Sequence, residues 1–237
     1  ITAVNLCEMN VDFAKELEDV IDVIYNNYPM ARGHLTNLSL HNTSLSQPLV
    51  IAMFTPAFNF ATSDSSSTYP WVIKTQVFLS SNYFLNRARL ESSVKEASSS
   101  GHFPPNATTY SPVAHEFGHY LSFLAVLNNY KVDSILLIDS NNVNSFYKAF
   151  DDFGSGNFTL EMLKEAYNNY KNDTNTVLDF DEWRGTVSNY ALAKDNNGNY
   201  IYDETMAEAF HDVYLNGDNA SDASKYIVSV LKDKLKG

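Results

Sequence analysis

Arginine is scarce in this chain, with four among 237 residues. Counting lysine, 16 basic side chains face 28 acidic ones, and the formal net charge is −12. Such a chain repels phosphate instead of releasing counterions from it, which argues against a nucleic-acid partner. An anionic membrane surface repels it for the same reason. Cysteine is limited to Cys7, so neither an intrachain disulfide nor a Cys-rich structural zinc site can form. No run approaches the roughly 18 apolar residues of a transmembrane helix, so no membrane span is expected. No secretory apolar segment stands at the start, and the chain begins at Ile1, as a processed form or a piece of a longer protein would. Histidine is also rare, with six residues. Aromatic residues are plentiful: 15 Phe, 15 Tyr and 2 Trp argue against intrinsic disorder.

Hydrophobic spacing outlines the elements. Phe13, Leu17, Val20, Ile21, Ile24 and Tyr28 predict a helix from about Val11 to Tyr28, stopped by Pro29. The apolar run Leu49 to Phe54 ends before Pro56 and predicts a buried strand. Residues 62–68 read as a polar loop, and Trp71 to Ser80 as a strand. A loop over 98–112 leads into a long helix from about Ser111 to Tyr130, with Ser111 as N-cap and Pro112 as first residue. Later helices are expected over Val143–Phe150, Leu160–Tyr170, Glu204–Leu215 and Ser221–Leu235. Strands early and helices late give an α+β class.

The long helix reads His115-Glu116-Phe117-Gly118-His119, an H-E-x-x-H pattern. Two His four apart lie on one face, one turn apart, and can bind one zinc ion. Glu116 can then reach a water at the metal without ligating it. Val113, Ala114 and Leu121 supply the apolar flanks of a buried site helix.

A catalytic zinc site typically takes a third protein ligand. The metzincin extension fails, because Ser122 and Ala125 stand at its Gly and His positions. No Glu occurs between Leu121 and Asp151, where only Asp133 and Asp139 are available as acids. The next candidate is Glu204-Thr205-Met206-Ala207-Glu208, whose two carboxylates share one face of a predicted helix. Stacked on apolar surroundings they repel each other, and a cation removes that cost. His211 falls near the Glu204 face and stays open as a ligand or as a support to one. His34, His41 and His102 read as exposed loop residues, and Asp179 to Glu182 as a solvated acidic loop.

Taken together, His115-Glu116-Phe117-Gly118-His119 and Glu204-x-x-Ala207-Glu208-Ala209-Phe210 resemble the catalytic domain of anthrax lethal factor and its relatives, which include Pro-Pro endopeptidases. These are gluzincins. The resemblance spans roughly residues 105–215. It implies His115, His119 and Glu204 as zinc ligands and Glu116 as general base. It also implies that Glu208 supports a ligating imidazole. Ser188-Asn189-Tyr190 occupies the family's Ser-x-Tyr place, so Tyr190 would lean toward the developing oxyanion. Between Tyr190 and Glu204 the chain has a longer insert than lethal factor; its run Asp195 to Asn199 reads as a tight hairpin turn, and a different arrangement of the insert would let Tyr200 or Tyr202 substitute for Tyr190.

The expectation is therefore one zincin-like catalytic domain over residues 1–237. A small twisted sheet would lie in about 1–110, the motif helix in about 111–130 and a mostly helical part in about 131–237. Its activity would be peptide-bond hydrolysis by zinc-activated water on a peptide or protein substrate. The alternatives are a zinc-binding but silent module of a larger toxin or phage protein, and a zinc amidohydrolase. Zincins pair extended substrate with an edge strand beside the site helix, and Trp71–Ser80 is the candidate. The resemblance favours secretion.

Overall fold

The apolar positions spaced along the first helix are those that end up buried. In the computed structural model, which describes residues 1, 3–42, 50–60, 71–132 and 143–236, α1 runs from Val11 to Asn27. Phe13, Leu17, Val20, Ile21 and Ile24 line its inner face. The Asn10 side chain accepts from the Asp12 and Phe13 amides and satisfies two of the free N–H groups of the first turn. Pro29 follows the end of the helix, as expected.

Around α1 lies a four-stranded mixed sheet in the order β1-β2-β4-β3. Its strands are β1 (Ala3–Asn5), β2 (Asn37–His41), β3 (Ala52–Phe60) and β4 (Trp71–Ser80). β1, β2 and β4 are parallel, and β3 runs antiparallel to β4. Two expectations change here. The strand after position 49 continues through Pro56 to Phe60. β4 is interior, so Trp71–Ser80 is not an edge; among the described residues the edges are β1 and β3, and β3 is the one that contacts α4. Both differences have one cause. In an antiparallel strand the N–H and C=O of one residue point to the same side. The Phe54 N–H points away from β4, so Pro56, two residues on, also faces outward, where its missing N–H breaks no rung. Leu49, residues 62–68, Asp133 and Asp139 lie outside the described residues.

Two helices follow the sheet, α2 (Ser81–Phe84) and α3 (Arg87–Ser99). α4 (Ser111–Asn129) carries the H-E-x-x-H residues. Ser111 is its first residue and not its cap: the Ser111 hydroxyl turns back to accept from the Thr108 amide. After α4 come α5 (Val143–Ser155), α6 (Asn157–Thr174), α7 (Phe180–Gly185), α8 (Tyr202–Asn216) and α9 (Asp222–Leu235). The acidic run 179–182 is thus a helix start and not a loop. Asp179 caps α7, and Glu182 returns the bond to the Asp179 amide in a capping box. The class is α+β, with the sheet in the N-terminal half and helices dominating the rest.

α4 is buried around its whole circumference over its first two turns and again past Tyr120. Phe54 of β3 packs on Tyr120 and Phe123 from one side. Tyr25 of α1 meets Phe117 edge-on, and the Tyr120 hydroxyl donates to the Ala31 carbonyl. Phe123 meets Phe153 of α5, while α8 and α9 close the remaining sides. Each such buried aromatic contributes roughly 1.5–3 kcal/mol, so the helix bearing the motif is held in place by core packing. No helix among the described residues is long and apolar enough to cross a membrane.

Candidate metal centre

The centre forms where α4 crosses α8. Gly118 stands between His115 and His119, and Ala207 between Glu204 and Glu208. A Cβ built on Gly118 would fall 2.6 Å from the Ala207 Cα, so only glycine permits this approach. The close crossing brings two imidazoles on one helix against two carboxylates on the other.

Three donor atoms converge. His115 Nε2 lies 3.1 Å from His119 Nε2 and 3.1 Å from Glu204 Oε2, and His119 Nε2 lies 3.5 Å from Glu204 Oε2. Glu204 Oε2 is buried yet makes no hydrogen bond of acceptable geometry. The three atoms lie close enough together to hold a metal ion. The other face of the same ring is occupied too: Glu208 Oε1 lies 2.7 Å from His115 Nδ1. The two carboxylates therefore bracket one imidazole. A second group, His115, Glu208 and His211, also clusters closely enough for a cation, and all three residues are buried.

Charge distribution follows this geometry. Burial opposes charge on His115, but the facing Glu204 and Glu208 carboxylates outweigh it and raise the ring well above the usual histidine range. His119 is raised likewise, with Glu204 outweighing burial. Burial would raise Glu204, yet His115 and His119 hold it below the carboxylate range. Glu208 is pulled down to about 2 against its own burial by His115 and His211.

Glu116 points to the sheet side, where its Oε2 accepts the Phe54 N–H at 2.6 Å. Its charge is felt by both His119 and Tyr190, so it stands beside the donor cluster without joining it. Tyr190 opens a 3₁₀ turn (Tyr190–Leu192) that is pinned to α8 at two points. The Ser188 hydroxyl accepts from the Ala191 amide and donates to Glu208 Oε2. The Thr205 hydroxyl donates to the Ala191 carbonyl and accepts from the Arg184 guanidinium. This places the Tyr190 ring 5.8 Å from the His115 ring, with its hydroxyl raised by burial and by the Glu204 charge beside it. Tyr200 and Tyr202 are placed elsewhere. Their rings flank the buried Arg184 guanidinium at 4.5 and 5.0 Å. The 195–199 run forms the tight turn expected, with Gly198 at φ +85° and the Asp195 amide bonded to the Asn199 carbonyl.

Five contributors were given no role in the sequence reading. His102 is exposed, but its ring packs 4.3 Å from that of Tyr190. Gly101, at φ +71°, ends α3 and lets the Asn189 amide reach its carbonyl, which brings His102 into place. Asp203 is half-buried near His119 and accepts from the Thr159 hydroxyl; desolvation raises its carboxyl. Ser188 and the Phe54 amide act through the contacts given above. The signal for Ser188 and Asp203 was their adjacency to named candidates, whereas nothing local marks Phe54. His34 and His41 lie apart from the centre, His41 against Phe78. No family model, curated protein or solved structure matches this chain.

Proposed function

We propose that this chain is a zinc-dependent metalloendopeptidase of the gluzincin type, with a zincin-like catalytic domain that resembles lethal factor and its relatives. The observation that carries the reading is the convergence of His115 Nε2, His119 Nε2 and Glu204 Oε2 beside the carboxylate of Glu116. Ligand atoms on a tetrahedral zinc ion lie about 3.3 Å apart. The separations here, 3.1, 3.1 and 3.5 Å, fit that spacing. Two imidazoles and one carboxylate are also a donor set that catalytic zinc accepts, with a fourth position left for water. His119 and Glu204 keep 15% and 16% of their side-chain surface, so the centre is reached from solvent.

Bound zinc would lower the pKa of water and polarise a carbonyl. The remaining work falls to side chains. Glu116 takes the water proton as the scissile carbonyl is attacked and delivers it to the leaving amine. Its tie to the Phe54 amide keeps one carboxylate oxygen fixed. The Tyr190 hydroxyl, kept protonated by burial, donates to the developing oxyanion. β3, as the edge strand beside α4, replaces Trp71–Ser80 as the strand that would pair with an extended peptide. Glu116 also separates this reading from a silent zinc-binding module, since binding the ion does not need that carboxylate.

Incubation with a diverse peptide library, with and without chelator, tests the proposal. Chelator-sensitive cleavage is expected, and Glu116→Gln should keep the metal while losing about 100-fold or more in turnover. Zinc uptake without any peptide cleavage would leave the silent module or an amidohydrolase.

A further inference from the structure

Behind the metal-facing atoms lies a second layer of polar contacts that ends at His211. Its ring has no exposed surface, and neither nitrogen has a hydrogen-bond partner within ordinary distance among the described residues. Glu208 Oε1 lies 3.6 Å from His211 Nδ1. Phe103 packs edge-on against the ring at 5.1 Å and closes the pocket on that side.

We infer that His211 is a positioning residue of the metal site, donating from Nδ1 to Glu208 so that Glu208 holds the His115 ring. The inference rests on the metallopeptidase reading. A neutral imidazole carries one N–H, and a wholly buried donor must find an acceptor. For His211 Nδ1 the carboxylate oxygen at 3.6 Å is the one that also receives the His115 Nδ1–H at 2.7 Å. The second Glu208 oxygen receives the Ser188 hydroxyl at 2.8 Å. His115 and Ser188 hold one carboxylate from two chain segments, and His211 Nδ1 stands 3.6 Å away as the third donor of the inference. That carboxylate sets which nitrogen of His115 keeps its proton and which is left for the metal. Removing such a support typically costs 10–100-fold in metal affinity.

His211 can instead be pictured as a ligand, with a second cation held between it, Glu208 and His115 Nδ1. The 2.7 Å contact of His115 Nδ1 with Glu208 favours a proton there and not an ion.

The test is zinc affinity and stoichiometry by chelator competition on the wild-type chain, His211→Phe and His211→Asn. Asn carries an N–H near the Nδ1 position; Phe fills the space without a donor. Phe should weaken zinc binding 10–100-fold, and Asn should recover most of the loss. A purely structural role would lower the melting temperature of both variants without separating their affinities. In parallel, nitrogen-proton correlation spectra of the zinc-loaded wild type should show the His211 proton on Nδ1. This holds even if the Phe variant does not fold. Unchanged affinity in His211→Phe overturns the inference, as does a proton on Nε2. Two ions per chain, with one lost in the Phe variant, overturn it in favour of a ligand. A wild-type chain that takes up no zinc overturns the metallopeptidase reading itself.

Discussion

The two sides of the His115 ring are built differently. Nε2 faces His119 and Glu204, which keep 15% and 16% of their side-chain surface, while Nδ1 faces Glu208 and His211, which keep none. On the open side Glu204 Oε2 has no hydrogen-bond partner, and the three donor atoms lie 3.1–3.5 Å from one another. On the closed side His115 Nδ1 and the Ser188 hydroxyl are both tied to the Glu208 carboxylate. One side is open to solvent. The other can hold orientation, because nothing there competes with protein hydrogen bonds. A single imidazole connects the two.

The largest expected effect comes from removing one carboxylate on each side. Glu204→Ala should lose zinc outright under conditions where Glu208→Ala weakens it about 10–100-fold. Chelator competition measures both, and equal retention would erase the distinction between the sides. Next is Tyr190→Phe, which removes a donor from the open side alone. Turnover should fall about 100-fold or more with zinc content unchanged; a loss of zinc would place Tyr190 among the ligand supports. Gly118→Ala has the smallest effect on any one contact but acts on both sides at once. The added methyl meets the Ala207 backbone at 2.6 Å, and forcing α4 from α8 should cost about 1–3 kcal/mol of stability in denaturant unfolding. Zinc binding should weaken in the same variant, since the ligands sit on both helices.

How much of this could be read beforehand depends on where the information lay. His115, Glu116 and His119 are neighbours on one helix, and Glu204 and Glu208 on another, so spacing alone revealed two chemically meaningful faces. Which carboxylate faces Nε2 and which Nδ1 is set by the α4–α8 crossing, and only the family resemblance anticipated it. The short strands β1 and β2 read Ala3-Val4-Asn5 and Asn37-Leu38-Ser39-Leu40-His41, too brief for alternation to stand out. α3 buries only Leu90 and Val94, which leaves little periodicity in thirteen residues. The bond between Phe54 and Glu116 joins positions 62 apart in sequence, and a main-chain donor carries no side-chain signature. His102 was read from its loop, but its neighbour Tyr190 arrives through the clasp of Asn189 on Gly101.

That bond between strand and helix carries one more consequence. Every proposed metal donor belongs to α4 or α8, whereas the Glu116 carboxylate is anchored to β3. On the proposed reading, ion capture would be a property of a helix pair, and proton handling of the joint between that pair and the sheet. Loading and turnover would then depend on different parts of the chain, and a change in the sheet should leave a fully metallated protein that is idle.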